Sequence, residues 1–400
     1  GVISKQRTDL NEQKKYFATD RTDDILNDEG KDLLATVKEF CENEVKEQCK
    51  AYDVSGEWPK EIYDKAMEMG LGSLEVPEEY GGIGIDRVTI SALYEEMAKA
   101  DAGFYTTIAA SNLGLKPVLI AGTEEQKQWA CDILVNGGYG AFCLTEPMAG
   151  SDPASCKTTA VKDGDEYVLN GRKCFITNGA VAGFYVVTAA TDKALGNKGI
   201  SAFLIPAGTP GLSAGNEENK MGIRTSNTTD VVLEDVRVPA GAMLGKEGEG
   251  FKVAMKTLDM ARTFVGCGAV GVAQRCVDEA IAYAKQRVTF GKPIGKFEAI
   301  QFMIADMEIK TETARQMVVH SLTLMDKGLD YNKESAIAKC YSGDIAVEVA
   351  LDAIQILGGY GYSREYPVEK LLRDAKIFQI YEGTNQIQRI VISRAVMGKF

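Results

Sequence analysis

"KTTAVKDGDEYVLNGRKCFITNG", residues 157–179, decides how the chain divides. Apolar and polar residues alternate through it, the pattern of a strand with one buried face. Asp163-Gly164 and Asn170-Gly171 interrupt the alternation, and both dipeptides favour tight turns, so the stretch reads as hairpin structure. The same period of two continues in "FYVVTAAT" (184–191), "ISAFLIPA" (200–207) and "TDVVLEDVRVP" (229–239). No crossover helix separates these segments. Residues 139–249 are therefore expected to form a middle antiparallel β domain, a sandwich or a barrel.

On both sides the period lengthens to that of a helix. In "DEGKDLLATVKEFCENEV" (28–45), Leu33, Leu34, Val37, Phe40 and Val45 share one stripe. "PKEIYDKAMEMG" (59–70) opens with Pro59 near a helix N-terminus and closes at Gly70, a C-cap residue. "AGFYTTIAASNLGLKPVLIAG" (102–122) is rich in small residues and suits a buried helix with close neighbours. Helical patterns return at Gly250, and a last one follows Thr384, where Asn385 with Gln388 suits a capping box. The expected fold is an α+β multidomain chain. It has a loose extension (1–23), an N-terminal α-helical domain (24–138), the middle β domain, and a C-terminal four-helix bundle (250–400).

Composition removes several function classes. The formal net charge is -12, which opposes nucleic acid as a partner. The 9 cysteines are odd in number and form no C-x-x-C pair, which argues against a disulfide framework and a zinc site and for a reducing, cytoplasmic setting. The single histidine, His320, makes a Ser-His-Asp triad or a histidine metal site a poor reading, and no metal is expected. No apolar run has the length of a membrane span, and the polar opening residues lack a signal-peptide pattern. "GCGAVG" (266–271) matches G-x-G-x-x-G, but helical sequence precedes it where a dinucleotide-binding turn needs a strand. It reads instead as a helix face bare enough for a neighbour to approach.

Three stretches carry more chemistry. "FCLTEPMAGSD" (142–152) is a tight polar loop with hydroxyls and backbone N–H groups, suited to a hydrogen-bonding ring ligand or to a plain domain-linking turn. "KCFITNG" (173–179) sets an aromatic beside a hydroxyl on a strand, able to wall a planar cofactor or simply to fill a core. "QRVTFGK" (286–292) is an Arg-led loop at a helix end, where basic groups either meet a pyrophosphate or offset the helix dipole.

Together with "KMGIRTSNTTDVVLEDVRVP", "QILGGYGYSREYP" and "LRDAKIFQIYEGTNQIQ", these stretches resemble, in order, the motifs of the acyl-CoA dehydrogenase family. The resemblance runs from about Asp24 to Phe400 and is near to the short-chain (butyryl-CoA) enzymes of anaerobic bacteria. It implies FAD as cofactor, an acyl-CoA substrate, an electron-transferring flavoprotein as partner and a homotetramer built as a dimer of dimers. By motif, Phe142, Leu144, Thr145, Gly150 and Ser151 line the flavin, and Phe175, Ile176 and Thr177 cover its other side. Arg287, Phe290, Gln355 and Gly359 would hold the FAD of a neighbouring subunit, with Thr384 and Gln386 completing that site. Glu298 stands where the family often has a Gln near the cofactor, and a carboxylate there would repel a pyrophosphate.

The resemblance places the catalytic base at Glu382 in "YEG", taking the α proton of a thioester while the β hydrogen leaves as hydride to flavin N5. Burial beside an apolar acyl chain would strengthen such a base. Relatives that carry the base just before the Arg of "LDMAR" have no counterpart here, since that position is Ala261. Asp259, Arg262, Ser151, Gly383 and Tyr105 are the expected acyl-CoA contacts. Tyr105 either shortens the acyl pocket or packs into the core. Phe104 stands where glutaryl-CoA dehydrogenases carry an Arg, which disfavours a dicarboxylyl substrate. A short straight acyl chain is the first expectation, with a branched, cyclic or aromatic acyl-CoA, or a non-redox or binding member of the family, as alternatives. The direction, oxidation or enoyl-CoA reduction, is left open by the residues.

Overall fold

The computed structural model describes residues 25–398; the expected extension at 1–23 lies outside them. Among the described residues, six α-helices come first: α1 (Asp28–Phe40), α2 (Lys46–Ser55), α3 (Lys60–Glu68), α4 (Arg87–Ala100), α5 (Ala102–Ala121) and α6 (Glu124–Val135). Their ends follow local chemistry. Asn27, Asp86, Asp101 and Thr123 each accept a hydrogen bond from a first-turn N–H, and Gly56 and Gly70 leave helices in the left-handed region. Leu34, Val37, Phe40 and Val45 are buried as the stripe predicts. α5 is buried along most of its length, even around Pro117.

Seven strands follow: β1 (Gly140–Cys143), β2 (Thr159–Asp163), β3 (Glu166–Thr177), β4 (Phe184–Ala190), β5 (Ile200–Pro206), β6 (Leu212–Glu217) and β7 (Thr228–Pro239). The sheet order is β1-β4-β2-β3-β7-β6, with β5 also on β4. Most pairings are antiparallel, but β4 runs parallel to β1 and to the start of β2. No crossover helix is needed, because the β2–β3 hairpin itself fills the connection between β1 and β4. That hairpin closes through Gly164 and Asp165, between the paired Asp163 and Glu166.

The turn expected at Asn170-Gly171 is absent. β3 runs through it with a bulge, its pairing to β7 slipping between Leu169 and Gly171. The Asn170 side chain is spent across the bulge: its Nδ2 donates to Asp235 Oδ1 (3.0 Å) and its Oδ1 accepts from Asp235 N (2.8 Å). A bulge and a turn draw on the same residue types, since both need one irregular residue.

The last unit comprises α7 (Gly250–Gln286), α8 (Glu298–Asp326), α9 (Asn332–Leu357), α10 (Val368–Ala375) and α11 (Asn385–Met397), with a small hairpin of β8 (Val288–Thr289) and β9 (Lys292–Pro293). α7 has 37 residues and so runs roughly 55 Å. "GCGAVG" lies in its middle. A Cβ at Gly268 would come within 2.3 Å of the Tyr105 ring, and one at Gly271 within 2.2 Å of Glu95 O. The glycines therefore let α4 and α5 lie against α7, which is why the nucleotide-binding reading fails. The two helical units share one core, the sheet has its own, and a third cluster joins α5 and α6 to β4 and β5.

The capping box expected at Asn385 is a further correction. Thr384 is the N-cap, its Oγ1 accepting from Ile387 N (3.3 Å). Asn385 is instead buried inside the bundle and bonded there. His320 is exposed, and Glu298 is an exposed first-turn residue of α8, where an acid is favoured by the helix dipole.

Candidate active site

A cavity of about 250 Å3 lies where α5, α7 and the 381–383 turn meet the sheet. Phe142, Leu144, Thr145, Gly150 and Ser151 from the first stretch line it, with Phe175, Ile176 and Thr177 from the second, and with Tyr105, Glu382 and Gly383. These residues come from widely separated parts of the chain. Apart from Thr106, the helical walls are mainly apolar and partly small (Ala109, Ala110, Leu113, Leu258, Val265), whereas the sheet side offers the hydroxyls of Thr145, Ser151 and Thr177.

Glu382 sits in a strained turn. Its φ is 51°, and Gly383 follows at 89°. A non-glycine residue held in that region costs of order 1 kcal/mol or more and persists only where surroundings impose it. Its Oε2 is buried with no hydrogen-bond partner. Burial raises its pKa from 4.5 to about 7, against the fields of Lys116, Lys339 and Arg262, while Glu75 adds to the rise. Such a carboxyl is poised to exchange a proton near neutrality. Phe175 and Phe290, two other candidates, share this backbone region, with φ of 57° and 51°. At Phe175 the cause is a second slip of β3 against β7, between Lys173 and Ile176, which turns the ring outward so that it is 66% exposed.

The loop opposite is held by a buried pair that sequence reading passed over. Glu146 and Lys173 lie 2.7 Å apart with side chains 2% and 0% exposed. Glu146 also accepts from Lys157 N (2.6 Å) and Thr158 N (3.1 Å), and Lys173 donates to Leu144 O (3.2 Å) and Thr188 Oγ1 (3.2 Å). Burial pushes the Glu146 carboxyl up, but Lys173 and these N–H donors outweigh it and hold the pKa at about 2. Both residues stand inside the quoted motifs; an acid and a lysine in otherwise turn-like and strand-like stretches were the available signal.

Tyr105 both packs into the core and lines the cavity. It is fully buried, its hydroxyl donates to Phe264 O (2.7 Å), and its ring still faces the cavity. Phe104, by contrast, does not line the cavity; it packs against Phe40 and Tyr63. On a helix, adjacent residues point about 100° apart, so only one of the two can face the site. Beyond Tyr105, Lys116 pairs with Glu75 and lies over the Phe264 ring at 5.1 Å.

The other candidates do not line this cavity. Asp259 and Arg262 pair with each other on α7, and Arg262 also donates to Asn332 Oδ1 (3.3 Å). Neither lines the cavity, although Leu258 beside them does. Arg287 and Gly359 line a second, open concavity of about 580 Å3. Phe290 is 91% exposed at the tip of the β8–β9 hairpin, and Gln355 and Gln386 are exposed as well. Thr384 is occupied as the cap of α11. Among the described residues no cluster of His, Cys, Asp and Glu is arranged to hold a metal, and no helix is long and apolar enough to cross a membrane.

Residues 27–137, 141–236 and 248–397 match the models of the acyl-CoA dehydrogenase N-terminal, middle and C-terminal domains. A short-chain specific acyl-CoA dehydrogenase of Megasphaera elsdenii is 44% identical over 378 residues, covering 93% of this chain and 99% of that one. The solved butyryl-CoA dehydrogenase of Megasphaera elsdenii superposes with a TM-score of 0.91 at 44% identity, covering 93% of this chain and 99% of that one. A chain from the structural work on the electron transferring flavoprotein of Acidaminococcus fermentans and flavin-based electron bifurcation also gives 0.91, at 45% identity, with 94% and 99% covered. Three models matched in the order of three structural units, and identity at this level over nearly the whole length, make this chain a member of the acyl-CoA dehydrogenase family.

Proposed function

We propose that the protein catalyses FAD-dependent α,β-dehydrogenation of a short-chain acyl-CoA, or the reverse enoyl-CoA reduction, and exchanges electrons with an electron-transferring flavoprotein. The observation that carries the reading is Glu382: a carboxylate with an unpartnered buried oxygen, aimed into an apolar cavity. A protein does not leave such an oxygen bare for stability, since it costs about 1–3 kcal/mol. It suits a base whose partner is the substrate.

The residues present fit the cofactor. Apolar walls, three hydroxyls and the outturned Phe175 ring suit a planar, polar-edged ring system beside Glu382. Phe142, Leu144, Thr145, Gly150 and Ser151 would hold one side of FAD, and Phe175, Ile176 and Thr177 the other. When bound, FAD supplies the acceptor for the β hydride. The chain's own part is to hold the acyl group between Tyr105 and Val265, exclude water, and take the α proton on Glu382. The Glu382 N–H would donate to the thioester oxygen as charge develops there.

Arg262, Asp259 and Ser151 are assigned to the CoA moiety, and Gly383 to the thioester. Arg287, Phe290, Gln355 and Gly359, with Thr384 and Gln386, are assigned to the FAD of a neighbouring subunit in a homotetramer. The place of Arg287 and Gly359 on a separate open concavity, and the 91% exposure of Phe290, favour a role in trans. A cytoplasmic setting accords with free cysteines throughout. Ala109 and Ala110 leave lateral room, which keeps a branched or cyclic acyl group as the second substrate reading.

The test is the anaerobic visible spectrum of the purified protein before and after butyryl-CoA, with Glu382→Gln beside it. Bleaching of bound flavin in the wild type, lost or greatly slowed in the variant, is expected. A flavin that stays oxidised with butyryl-CoA and with a panel of branched and cyclic acyl-CoAs would overturn the redox reading in favour of a binding or non-redox role.

A further inference from the structure

The turn that carries Glu382 rests on a buried ammonium. Lys339, in the N-terminal half of α9, is 0% exposed. Its Nζ donates to Gly383 O at 2.7 Å and to Asn385 Oδ1 at 2.9 Å. Asn385 is itself fixed, donating to Cys340 O (3.0 Å) and Asp344 Oδ1 (2.8 Å). Gln388 Nε2 reaches the same turn from α11, at 3.2 Å from Gly383 O and 3.3 Å from Glu382 O. A buried lysine normally faces a carboxylate. Among the described residues, Lys339 makes no ion pair, and its hydrogen-bond acceptors are neutral.

Three cations act on Glu382 from three helices: Lys116 of α5, Arg262 of α7 and Lys339 of α9. Lys116 is neutralised by Glu75, and Arg262 by Asp259. Glu75 also acts on Glu382 in the opposite sense. Lys339 is therefore the cation of the three whose field no paired carboxylate cancels. The turn also needs outside support, because Glu382, not a glycine, is left-handed in φ.

We propose that Lys339 is a positioning residue for Glu382: it fixes the Glu382–Gly383 turn through the Gly383 carbonyl, and its charge favours the ionised base. This inference rests on the assignment of Glu382 as the base. Burial draws the pKa of Lys339 down to about 8; Glu382 first, then Cys340 and Asp344, act to raise it and Arg262 to lower it, so the ammonium is mostly retained at pH 7. The two groups support each other's charge across the turn.

The experiment is an infrared titration of the Glu382 carboxyl in the flavin-loaded enzyme, its band identified by its loss in Glu382→Gln. In Lys339→Met the midpoint is expected to rise by about one unit, the lower end of what a nearby opposite charge provides. The butyryl-CoA rate should fall more at pH 7 than at pH 9. Gln388→Met removes the other donor to the Gly383 carbonyl without removing charge; it should slow the reaction and leave the midpoint in place. An unchanged midpoint in Lys339→Met, or an equal shift in Gln388→Met, would overturn the proposal. Should Lys339→Met fail to fold, as judged by thermal unfolding and flavin content, Lys339→Gln carries the same test. The infrared band titrates whether or not butyryl-CoA is dehydrogenated, so failure of the functional reading and failure of this inference are distinguishable.

Discussion

Replacing Glu382 by Gln should stabilise the protein while disabling it, and the gain should depend on pH in a stated direction. Burial raises the Glu382 pKa from 4.5 to about 7 in the folded chain. At pH 4 both folded and unfolded chains carry the protonated acid, and the site costs nothing. As pH rises from 4.5 to about 7 the unfolded chain releases its proton first, so folding stability is lost through that window. A difference of roughly 2.5 units at 1.36 kcal/mol each gives about 3 kcal/mol, fully lost above pH 7. The bare Oε2 has no hydrogen bond to offset this. A neutral Gln avoids the loss, so its advantage should be near zero at pH 4.5 and grow to about 3 kcal/mol at pH 8 as an upper limit. The assay is the difference in Tm between wild type and Glu382→Gln across pH 4.5–8 at constant flavin loading, paired with rates on butyryl-CoA. A difference that does not change with pH, or one that shrinks as pH rises, would refute the claim that Glu382 Oε2 is buried without a partner.

Three further outcomes follow from the packing. Glu146→Gln should destabilise by about 3–5 kcal/mol, because it leaves Lys173 buried and unpaired; since the Glu146 pKa is held at about 2, the wild type's advantage should be present above pH 4.5 and fade as pH falls toward 2, which Tm against pH will report. Gly268→Ala puts a Cβ within 2.3 Å of the Tyr105 ring; it should cost about 1–3 kcal/mol as overpacking and raise KM for butyryl-CoA, whereas equal KM would detach Tyr105 from the acyl pocket. Tyr105→Phe removes only the bond to Phe264 O and should cost about 1 kcal/mol with chain-length preference unchanged, while Tyr105→Ala should shift the preference toward longer acyl chains, read as kcat/KM across a C4 to C10 series.

Much of the site was legible in the sequence because its residues sit in local motifs. A tight loop, an aromatic–hydroxyl strand and "YEG" each carry a short-range signature, and they do converge on one cavity. The helical–β–helical order was legible for the same reason, since a change of period from 3.6 to 2 and back needs no knowledge of what packs on what. Where one local signature serves two structures, reading from sequence alone failed. Asn170-Gly171 suits a turn or a bulge, and only the pairing of β3 with β7 chose the bulge. Asn385 and Thr384 both suit a helix cap, and the choice went to Thr384 because Asn385 was drawn inward by Lys339, Cys340 and Asp344. For Tyr105 the sequence left pocket and core equally open, until the rotation of α5 turned the Phe104 ring to Phe40 and the Tyr105 ring to the cavity.

The sequence by itself determined which residue types could do chemistry and which units would fold, because propensity, period and turn chemistry act over a few residues. Charge and burial act through space. That a Glu382 oxygen is buried and bare, that Glu146 is an anchored anion and that Lys339 lies beneath the 382–383 turn were decided only when helices distant in the chain closed around them. Desolvation and Coulomb fields depend on distances that no local pattern encodes.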